Sequence, residues 1–265
     1  MTDAGHWRIE RHGSGRASVL IHVPHAGTVI PDEVRADILV DHAELAAELA
    51  VMTDWHTDRI AVAAASIAAA PTVVFANRLS RLVVDPERFP DEREVMERVG
   101  MGAVYRTCAD RTRLRDVDPA RDAMLIEWYF LPYADALATL VQEMLDDTGR
   151  CTIIDVHSYP RQPLPYELDH AAPRPGVCVG TDEIHTPAAT RRIAFEAMAG
   201  VRGGVAENTP FAGTYVPLRH YGRDRRVSSV MIEIRRDLYL DEPSTPRLVD
   251  VEDLAHRLAR IIDHG

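Results

Sequence analysis

The chain has 265 residues, a hydrophobic content of 46% and a formal net charge of −11. That is enough apolar material for a substantial core, and too acidic a balance for a nucleic-acid partner, because phosphate backbones select clustered Lys and Arg. No long apolar run is present and the opening MTDAGHWRIERHGSGR lacks the apolar centre of a signal peptide, so no membrane partner and a cytoplasmic location are expected.

Ala17 to Val23 reads as a strand that breaks at PHAG, which leaves His25 just past its end, while His22 inside the strand reads as a packed or surface histidine. Asp41 with Glu44 opens a helix through Val51 as a capping box. Thr53 would cap a second helix running to Pro71, placing Asp54 in its exposed first turn and Asp58 one turn later. Thr72 to Ala76 is a buried-type strand that runs into the polar stretch NRLSRLVVDPERFPDE. Met101 to Arg115 reads as a hairpin turning at Ala109 and Asp110, more loop than core.

Arg121 to Asp147 carries the longest helical pattern, with Trp128 and Leu131 on its apolar face and a kink or split at Pro132. Cys151 to Pro160, CTIIDVHSYP, is a buried strand ending in polar residues, with Asp155 and His157 on one side. In open α/β sheets that end is where ligands sit. Arg161 to Gly176 is Pro-rich, a wall or lid beside His157. Val177–Gly180 is a strand, Ala188–Met198 a helix, GGVAEN a strand, Val227 to Leu240 a late strand and Val249 to Ile262 a closing helix. Strands alternating with helices imply an α/β fold, with a parallel or mixed sheet covered on both faces and no linker dividing residues 1–265.

Cys108, Cys151 and Cys178 are scattered and without CxxC spacing, so they read as reduced thiols, not zinc ligands. Two histidines at separate strand ends plus a carboxylate would make a three-ligand zinc site with an open fourth position, and His25, Asp54 and His157 are the candidates. Asp155 could hold His157 from behind. Taken alone, each also fits a plainer reading: His157 caps a strand, and Asp54 complements a helix dipole. Glu233 interrupts the apolar strand VMIEIRR, either as a general base or as the wet side of a half-exposed strand. No GxSxG elbow, Walker sequence or Gly-rich dinucleotide loop competes.

In order along the chain, HVPHAG, TDWHTDRI, NRLSRLVVDPER, DVHSY, NTPFAGTY and VMIEIRRDLY resemble the N-formylglutamate amidohydrolase (deformylase) family, which is related in fold to the zinc carboxypeptidases. The resemblance runs from about Val19 to Glu242. It implies a three-layer α/β/α fold with a mixed, mostly parallel sheet, and one zinc per chain held by His25, Asp54 and His157. It further implies Glu233 as the catalytic carboxylate and Arg81 polarising the scissile carbonyl or holding substrate. Asn77, Arg78, Arg88, Asn208 and Tyr215 are the implied substrate contacts. Ala26, Glu87 and Ala212-Gly213-Thr214 depart from the family's usual residues and alter the pocket.

The function expected is hydrolysis of the amide of a small acidic N-acyl amino acid such as N-formyl-L-glutamate. The alternatives are a carboxypeptidase or an amidase for another N-substituted amino acid and, from another class, a non-catalytic binder on the same scaffold.

Overall fold

A computed structural model describes residues 5–241 and 245–265; Glu242, where the resemblance ends, and the first four residues of the opening segment lie outside them. Seven strands form one sheet: β1 Trp7–His12, β2 Val19–Val23, β3 Thr72–Asn77, β4 Cys151–Tyr159, β5 Val177–Gly180, β6 Val205–Glu207 and β7 Val227–Arg235, in the order β1-β3-β2-β4-β7-β5-β6. Strands β3, β2, β4 and β7 are mutually parallel, β1 is antiparallel at one edge, and β5 pairs antiparallel with β7. The sheet is therefore mixed and mostly parallel, as expected.

The strands form where β-branched runs can be buried on both faces, and the two faces are covered by different helices. Ile21, Ile154, Val156, Val230 and Ile232 pack against α3 Thr57–Ile67, α6 Ala188–Met198 and α7 Leu248–Ile262. Leu20, Val73, Phe75, Ile153 and Val227 pack instead against α5 Leu131–Thr148, through Leu137, Val141 and Met144. The alternation of side chains then has a decisive consequence. On β2, β4 and β7, His22, Asp155, His157 and Glu233 share the α5 face with those apolar residues but lie farther toward the strands' carboxyl ends. Apolar residues fill the first half of that face, and titratable groups fill the second.

Several local expectations are corrected. The helix expected from Thr53 begins only at Thr57: after the short α1 Asp32–Arg35, Thr53 ends α2 His42–Met52, and His56 takes a left-handed conformation (φ 63°) immediately before α3. Asp54 consequently lies in the buried turn between two helices, not in an exposed first turn. The late strand ends at Arg235 and passes into a single tight turn at Arg236–Leu238. The Met101–Arg115 segment has antiparallel bridges at Met101–Tyr105 and Thr107–Arg113, yet Met101, Tyr105 and Leu114 are completely buried, so its arms are core and only the tip Asp110–Arg113 is exposed loop.

The Arg121–Asp147 pattern is split, as α4 Pro119–Leu125, a π-helical turn at Ile126–Phe130, and α5 with Pro132 in its first turn. Trp128 and Leu131 lie on its wet side. The capping box is present, with the Asp41 side chain accepting from Ala43 N and Glu44 N while Glu44 accepts from Asp41 N. Among the described residues no helix is long and apolar enough to cross a membrane.

Candidate active site

After β2 the chain passes through Pro24, His25 and Ala26, then touches the backbone after β3. A Cβ on Gly27 would lie 2.4 Å from the Arg78 carbonyl, so only glycine permits this approach. Val29 N bonds to Arg78 O and Ser80 N to Val29 O, fixing the loop that carries His25. Asp54 is tied to the same loop, because its N–H donates to His25 O at 3.0 Å. His157 arrives on β4, the strand beside β2.

Three buried donor atoms meet there. His25 Nδ1 and His157 Nδ1 are 3.2 Å apart, and Asp54 Oδ2 is 3.2 Å from His157 Nδ1 and 3.7 Å from His25 Nδ1. A tetrahedral zinc with bonds of about 2.0–2.1 Å needs ligand-to-ligand edges of roughly 3.3–3.4 Å, and the triangle has that size.

The far sides of His25 and Asp54 are held, while the far nitrogen of His157 is buried beside two carboxylates with no hydrogen bond among the described residues. Asp85 Oδ1 accepts from His25 Nε2 at 2.9 Å, and a carboxylate can only accept, so the proton is on Nε2 and the Nδ1 lone pair faces the triangle. His157 Nε2 stands 3.1 Å from Asp155 Oδ1 and 3.3 Å from Glu87 Oε2. The outer oxygen of Asp54 is 3.3 Å from the buried Arg236 guanidinium, which also bonds Val51 O and Ser158. His22 closes a second layer, with Nδ1 donating to Asp155 Oδ1 at 2.8 Å and Nε2 accepting from the Tyr133 hydroxyl at 2.7 Å.

The electrostatics favour a cation at this point. Burial opposes charge on Asp54, yet hydrogen bonds to His157 and His25 hold its carboxyl well below the usual range. Asp85 is held low in the same way by Arg81 and His25, again against burial. Burial and Arg81 push His25 down, but Asp85 and Asp54 outweigh them and raise it. His157 is raised well above the usual imidazole range by Glu87 and Asp155 despite its burial. The surrounding carboxylates thus attract positive charge onto two facing imidazoles, a demand that a divalent cation would meet.

Glu233 lies opposite His157 on the neighbouring strand and on the same face. Burial raises its carboxyl to about 8, helped by Asp54 and opposed by His157, Arg81 and Arg236, and Oε2 has no hydrogen-bond partner among the described residues. These groups open onto a cavity of about 650 Å³ that Arg81, Arg88, Tyr215 and the Pro-rich wall residues Leu164 and Tyr166 also line.

The profile of the N-formylglutamate amidohydrolase family matches residues 17–240. The chain belongs to that family. Membership of the N-formylglutamate amidohydrolase family makes it an amide-bond hydrolase. An N-formylglutamate deformylase of Pseudomonas putida is 26% identical over 248 residues, covering 91% of this chain and 88% of that one.

The crystal structure of an N-formylglutamate amidohydrolase from Ralstonia eutropha JMP134 matches with a TM-score of 0.81 at 21% identity over 97% of each chain. A gene product of Agrobacterium tumefaciens matches with a TM-score of 0.70 at 18% identity, over 97% of this chain and 93% of that one. Both structures share the fold.

Not every family-derived candidate reaches the cavity. Asn77 is a backbone clamp, donating to Pro24 O and accepting from Leu79 N. Asn208 is exposed and ties Thr181 to Gly213, and Arg78 is exposed outside the cavity wall. Tyr215 lines the cavity with its ring centroid 4.6 Å from that of His22, and its N–H donates to Asp155 Oδ2. Arg81 is engaged by Tyr105 and Asp85, and Arg88 lies 3.6 Å from Asp85. The sequence assigns no role to Asp85 or Tyr105, and marks Glu87 only as a departure that alters the pocket. For Asp85 the signal is a carboxylate directly after the apolar run Leu82–Val84.

Proposed function

We propose that this family member hydrolyses the amide of a small N-acyl amino acid, with N-formyl-L-glutamate as the reference substrate, using one zinc ion bound by His25 Nδ1, Asp54 Oδ2 and His157 Nδ1. The carrying observation is the buried triangle of three ligand atoms that face one another, beside a Glu233 carboxyl whose Oε2 has no hydrogen-bond partner among the described residues. When bound, the cation supplies Lewis acidity toward the amide carbonyl and toward water.

The chain's own residues account for the rest. Asp85 keeps His25 in the tautomer and orientation that present Nδ1, Asp155 stands 3.1 Å from His157 Nε2, and Arg236 keeps the outer oxygen of Asp54 occupied. Glu233 accepts a proton from the attacking water and returns it to the departing amine nitrogen, so that the C–N bond breaks to give a carboxylic acid and a free amino acid. Burial raises the Glu233 carboxyl above the usual carboxylate range, which makes its ionised form a stronger proton acceptor. Arg81 is fixed by Tyr105 and Asp85 where it can polarise the carbonyl oxygen, and Arg88 takes the substrate carboxylate.

Glu233→Gln tests the assignment. Zinc stoichiometry should be unchanged while formate release from N-formyl-L-glutamate falls by about 10²–10⁴-fold. A variant with near-native turnover would remove Glu233 from the mechanism.

A further inference from the structure

The cavity is much larger than the reference substrate and unevenly lined. N-formyl-L-glutamate has about a dozen non-hydrogen atoms, and even at the roughly 30 Å³ that one water occupies in the liquid these fill only about half of the space, against a cavity of about 650 Å³.

The rest of the lining is mostly apolar. Val95, Leu168, Leu218 and Tyr221 come from three separate segments and line this one cavity, yet they are 64%, 49%, 38% and 37% exposed. Phe89 meets Tyr221 edge to face at 6.1 Å and joins two of those segments. Large apolar side chains left wet around a concave site are the mark of a surface that a ligand covers.

Charge points the same way. Among the described residues three guanidiniums line the cavity, Arg81, Arg88 and Arg236. Arg236 spends Nε and both terminal nitrogens on Val51 O, Asp54 and Ser158, and Arg81 is committed to Tyr105 and Asp85. Arg88 alone has no carboxylate closer than 3.6 Å, and its buried Nε has no hydrogen-bond partner. Arg88 is thus the least committed of the three, with Asp85 at 3.6 Å and Glu94 at 3.9 Å, and one guanidinium serves one substrate carboxylate. A second would have to settle on the apolar rim or among Asp54, Asp85, Glu87, Asp155 and Glu233.

We infer that the preferred substrate class is an N-acyl amino acid with a single carboxylate and a large apolar group, the carboxylate on Arg88 and the apolar group against Val95, Leu168, Leu218 and Tyr221. This rests on the amide-hydrolase reading and narrows it.

The test uses the zinc-loaded enzyme and compares kcat/KM for N-formyl-L-phenylalanine, N-phenylacetylglycine and N-formyl-L-glutamate. At least one of the two apolar substrates should exceed N-formyl-L-glutamate by about tenfold or more, and the Leu168→Ser/Leu218→Ser double variant should bring that ratio toward one. The ratio does not depend on how much of the variant is folded. Preference for N-formyl-L-glutamate, or a ratio unmoved by the double variant, overturns the inference while leaving the hydrolase reading intact. If none of the three turns over, calorimetric binding of the same compounds to the zinc-loaded Glu233→Gln protein decides: tighter binding of an apolar compound sustains the inference without the reaction, and tighter N-formyl-L-glutamate ends both.

Discussion

Asp85 Oδ1 accepts from His25 Nε2 at 2.9 Å, and Asp85 Oδ2 accepts from Arg81 and from the Tyr105 hydroxyl at 2.7 and 2.5 Å. One buried carboxylate therefore sets the tautomer of a candidate zinc ligand and the position of the arginine beside it. Asp85→Asn would keep the shape but could offer an amide donor where His25 needs an acceptor. It should weaken zinc by about 10–100-fold in a competition titration. An unchanged affinity would show that His25 needs no such partner.

Arg236 makes a second, independent prediction. Its guanidinium is almost wholly buried, bonds the outer oxygen of Asp54 and ties the end of β7 to Val51 at the end of α2. Arg236→Met removes one partner of a buried pair and should cost about 3–5 kcal/mol in the apoprotein by denaturant unfolding. Zinc should recover part of that loss by neutralising Asp54. If zinc raises the stability of variant and native protein by the same amount, Arg236 does not act through Asp54.

Glu48 gives the fold a pH dependence separate from the site. It is buried on α2, accepts from Ala109 N at 2.8 Å, and burial raises its carboxyl from 4.5 to about 7, with Asp110 adding to the rise while the Ala109 N–H and Arg81 oppose it. Between those two values the folded chain holds a proton that the unfolded chain has lost, so stability falls as pH rises, by at most about 3 kcal/mol. Below 4.5 both states are protonated and the penalty vanishes. Glu48→Gln should therefore be more stable than the native protein at pH 8 and equal to it at pH 4 in thermal unfolding. Equal stability at both values would contradict this.

What could be read from residues was what depends on period and short-range chemistry. The capping box at Asp41 and the β-branched runs of β2, β3 and β4 declare themselves locally. Asp54 was misplaced because the turn at His56 requires a left-handed residue with no glycine to announce it. Strand β1 was missed because WRIERH is an edge strand, half-buried and mostly polar. Glu233 stayed ambiguous because strict alternation looks the same whether the second face meets water or a buried site, and only the position of β7 between β4 and β5 decides that. Asp85 meets Arg81 four residues away, but His25, His157 and Asp54, the site partners of Asp85, Glu87 and Arg236, lie tens of residues distant, which no spacing rule reports.

The most direct measurement is a calorimetric zinc titration of chelator-stripped protein, with amide hydrolysis followed in the same samples. The account predicts one tight equivalent, turnover that returns in proportion to it, and loss of both in His157→Ala. Stripped protein that hydrolyses N-acyl amino acids at full rate, or His157→Ala that still binds one equivalent as tightly, would contradict it.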